Sequence, residues 1–168
     1  MRIVAVILLI LSFSLVYGAE DKAVPFPSFT MKDLDGNLVC LDSLKGNGPI
    51  FISFWAMWCK PCIKELKAID KLYQIYSDSG FVVLGISQDG ARLVRQLPRF
   101  VRKQKFTFPI LWDDGALKKK VGVTDLPTSF LLNSKGEIIL RKRGYKRGEE
   151  KEFEKLIIDH IERKIDEE

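Results

Sequence analysis

Short runs of apolar residues alternate along this chain with longer segments in which apolar residues recur every three or four positions. The short runs predict buried strands, and the longer segments predict amphipathic helices. Strands alternate with helices along most of the chain, and a hairpin followed by a helix ends it. We therefore expect an α/β domain with a mixed central sheet and flanking helices. The strand candidates are residues 29–31, 38–41, 50–56, 81–86, 108–112, 129–132 and 137–140. The helix candidates are residues 42–46, 63–77, 91–105, 115–121 and 149–165.

Glycine and proline mark the turns between these elements. A glycine-containing turn at 35–37 separates the first two strand candidates and predicts an N-terminal β-hairpin. A similar turn at 133–136 predicts a second hairpin near the C-terminus. Pro98 lies inside the helix candidate at 91–105. That helix is expected to kink or to begin late, since proline lacks a backbone N–H.

The beginning of the chain differs from the rest. A positive charge at Arg2 precedes a nearly continuous apolar run at 3–16, and small residues follow that run. This is the pattern of a signal peptide. An uncleaved membrane anchor is the alternative, although the run is short for a membrane span. We therefore expect residues 1–19 to direct export and residues 20–168 to form the domain, in the periplasm or on the extracytoplasmic face of a membrane.

The composition is that of one globular domain. Apolar residues make up 46% of the 168 residues and charged residues 29%, which is too apolar for a disordered chain. The formal net charge is +5, with dense basic clusters only at 118–120 and 141–143. No aromatic stacking platform accompanies these clusters, so we expect no nucleic-acid partner. We expect a monomer.

The strongest chemical signal is Trp58-Cys59-Lys60-Pro61-Cys62, which lies between a strand candidate and a helix candidate. A cysteine at a helix N-terminus is next to unpaired N–H groups and to the positive end of the helix dipole, and both favour its thiolate. A second cysteine three positions on can form and reopen a disulfide with the first. Cys59 is therefore the candidate nucleophile, and Cys62 the candidate resolving thiol and the more buried of the two. Pro61 suits the first turn of a helix.

Three neighbours of the cysteines each allow two interpretations. Lys60 either favours the Cys59 thiolate through its charge or is an ordinary exposed lysine. Glu65 lies one helical turn beyond Cys62, where it either accepts the proton of that thiol or is a surface glutamate. Trp58 either contacts the substrate or packs against the fold.

Outside this motif the chemical signals are weak. Cys40 makes the cysteine count odd, and we interpret it as a small buried apolar residue. A resolving or redox-sensing thiol is the alternative. His160 is the single histidine of the sequence and lies on the last helix candidate, where we expect no catalytic role for it. Leu126-Pro127 precedes a strand candidate, where the proline could adopt a cis peptide bond. No metal site is expected, because a structural zinc site needs four ligands and no second cysteine pair is present. Binding of Cu(I) by the two thiolates is the weakest alternative.

These motifs resemble the thioredoxin superfamily and, within it, the exported TlpA/ResA-like thiol–disulfide oxidoreductases, which include cytochrome c biogenesis proteins. The resemblance runs from about residue 24 to residue 165. Its strongest part is the segment 54–65, which reads Phe-Trp-Ala-x-Trp-Cys-x-Pro-Cys-x-x-Glu. Further matches lie at 29–36, 41–46 and 125–131, and at Gly136 and Gly144.

The resemblance implies a thioredoxin-like fold with an N-terminal β-hairpin and a central helix–strand insertion at about 88–108. It implies that Pro127 is the cis-proline that faces the disulfide, and that the backbone near Leu126 is free to pair with a substrate. Glu65 matches the acidic residue that this subgroup places near its cysteines. The activity implied is the reduction of protein disulfides, with apocytochrome c as one client and a membrane thiol-electron carrier as the donor. No cofactor besides the redox-active disulfide is expected.

The direction of the reaction is less strongly indicated. Lys60 replaces the acidic residue that some ResA-like members carry between the cysteines, so their redox poise does not transfer to this chain. Pro61 before the second cysteine resembles thioredoxin itself and favours a reductant. A disulfide oxidant or isomerase of the same fold is the alternative. A peroxiredoxin is disfavoured, because Ala56 stands where that family has a Thr or Ser three residues before its reactive cysteine.

Overall fold

The computed structural model describes residues 23–167, so the predicted signal peptide or anchor at 1–19 lies outside the described residues. The strands are β1 (Thr30–Lys32), β2 (Leu38–Cys40), β3 (Ile50–Trp55), β4 (Val82–Ser87), β5 (Ile110–Trp112), β6 (Thr128–Leu132) and β7 (Ile138–Arg143). The helices are α1 (Leu41–Leu44), α2 (Lys60–Tyr76), α3 (Leu97–Gln104), α4 (Ala116–Lys120) and α5 (Glu150–Glu167). None of the helices in the described part of the chain is long and apolar enough to cross a membrane.

Five strands form one mixed sheet in the order β5-β4-β3-β6-β7. β3, β4 and β5 run parallel to one another, whereas β6 lies antiparallel to both β3 and β7. The prediction of an α/β fold with a mixed sheet is therefore confirmed. β1 and β2 pair as the predicted N-terminal hairpin. An isolated bridge between Asp33 and Leu111 connects this hairpin to β5.

β3 is the central strand, and all six of its side chains are buried. Phe51 and Trp55 lie in a core that α2 and α5 cover, and Phe54 lies in a second core on the other face of the sheet. Because side chains alternate along a strand, Ser53 lies on the same face as Phe51, towards α2. A strand covered on both faces explains the apolar run in the sequence, which Ser53 alone interrupts.

α2 begins at Lys60, three residues before the predicted start at 63. Cys59 is the N-cap of this helix, and its Sγ accepts a hydrogen bond from the N–H of Cys62 at 3.3 Å. Pro61 lies in the first turn, where a missing N–H leaves no helical hydrogen bond unmade. Apolar periodicity marks only the part of the helix that packs on the sheet, and so it missed this first turn.

The helix predicted at 91–105 begins late. A 3₁₀ turn at Val94–Gln96 comes first, and α3 follows it. Pro98 lies in the first turn of α3, where a proline is tolerated. Lys105 ends the helix in a left-handed conformation with φ of 61°. The 3₁₀ turn, α3 and β5 make up the predicted helix–strand insertion.

Candidate active site

The two cysteines lie where the chain leaves β3 and enters α2. Cys59 and Cys62 form a disulfide, with their Cα atoms 5.3 Å apart. Cys59 is 5% exposed, whereas Cys62 is fully buried. A partner sulfur that approaches from solvent therefore meets Cys59 first.

The backbone around Cys59 favours a negative charge on its sulfur. The N–H of Cys62 points at this sulfur, and the first N–H groups of α2 have no carbonyl partner within the helix. The positive end of the helix dipole lies at the same place. When the disulfide is reduced, these donors favour the thiolate over the thiol. Lys60, exposed at the first position of α2, adds a positive charge nearby.

Trp58, Lys60 and Pro61 form the exposed rim of the site. The side chain of Trp58 is 65% exposed, and both Lys60 and Pro61 are exposed as well. An exposed indole beside a reactive sulfur offers a large rigid surface to a partner. Trp58 is thus available for such a contact and does not belong to the core.

Glu65 is fully buried, one helical turn beyond Cys62 on the same face of α2. Its two carboxylate oxygens accept hydrogen bonds from the hydroxyls of Ser53 and Ser129, each at 2.7 Å. Burial raises the pKa of Glu65 to about 7, although both hydrogen bonds act in the opposite direction. Glu65 can therefore gain or lose a proton near neutral pH, which an exposed glutamate does not do.

Sequence reasoning missed the two serines that hold Glu65. Ser53 on β3 and Ser129 on β6 lie opposite each other in the antiparallel register. The only signal was one polar residue at an inward position in each apolar strand. The charge of Glu65 also acts on Tyr145. Burial, a hydrogen bond to Glu150 and the nearby charge of Glu65 all raise the pKa of Tyr145, so its phenol is neutral at physiological pH.

The loop before β6 meets the same end of the sheet as the cysteines. The peptide bond between Leu126 and Pro127 is cis. The next residue, Thr128, pairs with Phe54 near the end of β3 from which the active-site loop leaves. The N–H of Gly144 donates to the carbonyl oxygen of Pro127 at 2.7 Å. Register thus brings Leu126 and Pro127 to the edge of the sheet that carries the disulfide.

Asp89 follows β4 and was not predicted as a site residue. Its buried carboxylate accepts hydrogen bonds from the N–H of Met57 at 3.0 Å and from the hydroxyl of Ser87 at 2.9 Å. Its carbonyl oxygen accepts a hydrogen bond from the indole of Trp112 at 2.7 Å. Since Met57 is two residues before Cys59, Asp89 anchors the active-site loop to the carboxyl ends of two strands. An acidic residue two positions after a buried strand was the only signal.

We expect Asp89→Ala to lower the free energy of unfolding by about 2 kcal/mol, because it leaves the part-buried N–H of Met57 without its carboxylate acceptor. The loop that carries Cys59 loses an anchor, so disulfide exchange should also slow. Urea unfolding of the oxidised protein measures the first effect. Asp114→Ala is the control, since the exposed carboxylate of Asp114 accepts only the N–H of Ala116. Equal losses in the two variants would contradict a special role for Asp89.

Cys40 and His160 lie outside this site. Cys40 ends β2 as a free thiol and is only half-buried. The prediction that it is buried is therefore wrong, because β2 pairs only with β1 in a hairpin outside the main sheet. The Nδ1 of His160 lies 3.0 Å from the carbonyl oxygen of Leu156 in the preceding turn of α5. Among residues 23–167, no cluster of three metal-ligating side chains occurs.

Three features together define a thioredoxin-like thiol–disulfide oxidoreductase. They are the order of the sheet strands, a disulfide at the N-terminus of α2, and a cis-proline at the same end of the sheet as that disulfide. Comparison with known proteins agrees with this class. The sequence model of the AhpC/TSA family matches residues 23–141. The thiol–disulfide oxidoreductase ResA of Bacillus cereus is 35% identical over 150 residues, which cover 83% of this chain and 85% of that protein.

Solved structures give the same result. The crystal structure of StoA from Bacillus subtilis superposes with a TM-score of 0.64 at 30% identity, covering 79% of this chain and 97% of that one. The thioredoxin domain of a thiol–disulfide oxidoreductase from Bacteroides vulgatus superposes with a TM-score of 0.68 at 25% identity, covering 80% and 96%. This chain belongs to the AhpC/TSA family and is a thiol–disulfide oxidoreductase of the ResA type.

Proposed function

We propose that this protein is an exported reductant of protein disulfides, with Cys59 as the nucleophile, Cys62 as the resolving thiol and Glu65 as the base. The observation that carries the proposal is the buried carboxylate of Glu65, which lies on the same face of α2 as Cys62 and has a pKa of about 7. A buried thiol needs a group that takes its proton, and a buried carboxylate one helical turn away on the same helix face supports this role for Glu65.

The reaction has two exchange steps. The thiolate of Cys59 attacks one sulfur of the client disulfide, the client S–S bond breaks, and a mixed disulfide forms while one client thiolate leaves. Glu65 then takes the proton of Cys62, and the Cys62 thiolate attacks the Sγ of Cys59. The second client thiolate leaves, and the Cys59–Cys62 disulfide forms. The client gains two electrons from the cysteine pair, and its two thiolates take up protons from Glu65 and from solvent.

The sequence and the resemblance support a location, an electron donor and a client for this reaction. The apolar segment at 1–19 supports export, either as a cleaved signal or as an anchor. Outside the cytoplasm a dithiol reductant needs its electrons supplied, and a membrane thiol-electron carrier would supply them. Apocytochrome c is the client with which to begin, because the resemblance includes cytochrome c biogenesis proteins. Leu126, beside the cis-proline, is the backbone position for pairing with an extended client segment.

The reduction potential of the Cys59–Cys62 pair tests the proposal. The full-length protein is equilibrated in thiol buffers of defined potential, and its redox state is followed by alkylation. We expect a potential below about −220 mV, which suits a reductant. A value near −120 mV would overturn the proposal and indicate a disulfide donor.

Alkylation in intact cells tests export and direction together. In a Cys40→Ser variant, a maleimide that does not cross membranes should modify Cys59 of an exported reductant, whereas Cys62 is fully buried and should react only after unfolding. A protein that is modified only after the cells are opened is not exported. A protein that is modified only after chemical reduction of intact cells is exported but works in the oxidising direction.

A further inference from the structure

A row of cations lies on the insertion beside the active site. Residues 90–112 contain six arginine and lysine residues and no acidic residue. Arg95, Arg99 and Lys103 line one groove, and Arg92 shares a depression with Arg95. Arg92 lies just before the 3₁₀ turn, Arg95 lies in it, and Arg99 and Lys103 lie on α3. We call these four residues the basic stripe.

The charges of the basic stripe are unbalanced. All four side chains are exposed, and none of them forms an ion pair with any residue that the structure describes. Arg95, Arg99 and Lys103 are spaced four residues apart, and like charges at this spacing repel one another on a helix. The dipole of α3 favours Lys103 in its last turn. The stability of this helix does not explain Arg92, Arg95 and Arg99, whereas a negatively charged partner would.

The groove along the stripe reaches the active-site loop. Its volume is about 500 Å³, and Met57 and Phe100 add apolar surface to its wall. Met57 is two residues before Cys59, a stretch of chain that spans about 7 Å at most. The centre of the Phe100 ring lies 6.1 Å from that of the Trp55 ring in the core, so this wall of the groove packs against the core. A polypeptide in the groove would be held next to the disulfide.

We propose that the basic stripe binds an acidic segment of the protein whose cysteines react with Cys59 and Cys62. This inference rests on the proposed function, because it requires a protein partner. The groove offers such a segment both charge and apolar contact, and the exposed Trp58 follows Met57 in the chain. An anionic bilayer is the competing partner. It is disfavoured because a flat surface does not fill a concave groove and would cover Cys59.

Three peptide probes test the inference. Each contains the same loop between two cysteines, flanked by four glutamates, four glutamines or four lysines. The probe is used as the disulfide if the measured potential of the Cys59–Cys62 pair indicates a reductant, and as the dithiol if it indicates an oxidant. We measure the rate of exchange with the full-length protein at low and at high salt. We expect the glutamate probe to react about tenfold faster than the lysine probe at low salt, since a charged surface beside a site steers its partner. The ratio should fall as salt screens the charges.

Two triple variants distinguish the effect of the basic stripe from the effect of the net charge of the protein. Arg95→Glu, Arg99→Glu and Lys103→Glu together reverse the stripe and should abolish or invert the preference for the glutamate probe. Lys71→Glu, Lys135→Glu and Lys155→Glu form the control, because these exposed lysines lie away from the cysteines and their reversal changes the net charge equally. The control variant should keep the preference. Both variants should exchange with the glutamine probe at nearly the wild-type rate.

Any other outcome contradicts the inference, and one outcome also contradicts the proposed function. If the two variants lose the preference equally, net charge and not the stripe steers the partner, and the inference is wrong. If the wild-type protein reacts with all three probes at one rate, the inference fails while the proposed function stands. If it reacts with none of them, the proposed function fails as well. If the stripe variant keeps the preference but loses binding to phosphatidylglycerol vesicles, the stripe is a membrane-binding surface and the inference is wrong.

Discussion

Cys59→Ser is expected to slow disulfide exchange by more than about 10³-fold, because a serine hydroxyl does not replace a thiolate as the attacking group. Cys62→Ser should behave differently. It leaves the first exchange step intact and removes the sulfur that resolves the mixed disulfide, so a covalent complex with the client should accumulate. This difference follows from the burial of the two sulfurs, since Cys59 is 5% exposed and Cys62 is fully buried.

Non-reducing electrophoresis and mass spectrometry of the trapped complexes measure both effects. The third cysteine supplies the control, because Cys40→Ser removes a free thiol on a different strand and should leave the exchange rate unchanged. Complexes trapped through Cys62 in the Cys59→Ser variant would reverse the assigned roles.

Glu65→Gln is expected to stabilise the oxidised protein above pH 7 and to slow its catalytic cycle. Burial raises the pKa of Glu65 from 4.5 to about 7. The folded protein therefore binds more protons than the unfolded chain between these two values, and its stability falls as the pH rises through that window. At about 1.4 kcal/mol per pH unit, an ionised Glu65 costs the fold about 3 kcal/mol above pH 7. Glutamine removes this cost because it stays neutral.

Urea unfolding of the oxidised wild type and variant at pH 4 and pH 8 measures this effect. The variant should gain stability over the wild type only at the higher pH. Glu162→Gln, an exposed substitution on α5, is the control and should show no such dependence. The same Glu65→Gln variant should accumulate the mixed disulfide with a client, because Cys62 has lost its base. A difference in stability that does not change with pH would contradict the raised pKa.

The fold was largely predictable because each element carries its own signal. β3 is buried on both faces and so appears as one apolar run, and α2 shows apolar residues at helical spacing on the face that meets the sheet. The errors lie at the ends of elements, where a local chemical feature replaced the apolar pattern. Cys59 caps α2 and starts it early. The expectation for the helix around Pro98 left two outcomes open, and the late start is the one observed.

The candidate site was predictable only where its residues are close in sequence. Cys59, Cys62 and Glu65 share one helix face, so their spacing alone brings them together. Ser129 is 64 positions from Glu65 and reaches it only through the pairing of β6 with β3. Asp89 is 32 positions from Met57 and reaches it only because β4 lies beside β3. The spacing of residues along one strand or helix does not encode such pairings.

The sequence by itself determined the class of protein, since a Cys-Lys-Pro-Cys segment between a buried strand and an amphipathic helix specifies thiol–disulfide chemistry on a local scale. Only the tertiary structure decided the state of Glu65. The sequence left open whether Glu65 is a surface glutamate, and its burial depended on whether other strands would cover it. The structure buries this carboxylate between two serine hydroxyls from β3 and β6, and this burial raises its pKa to about 7. Burial is a property of the packed layers, and no single segment of the chain contains it.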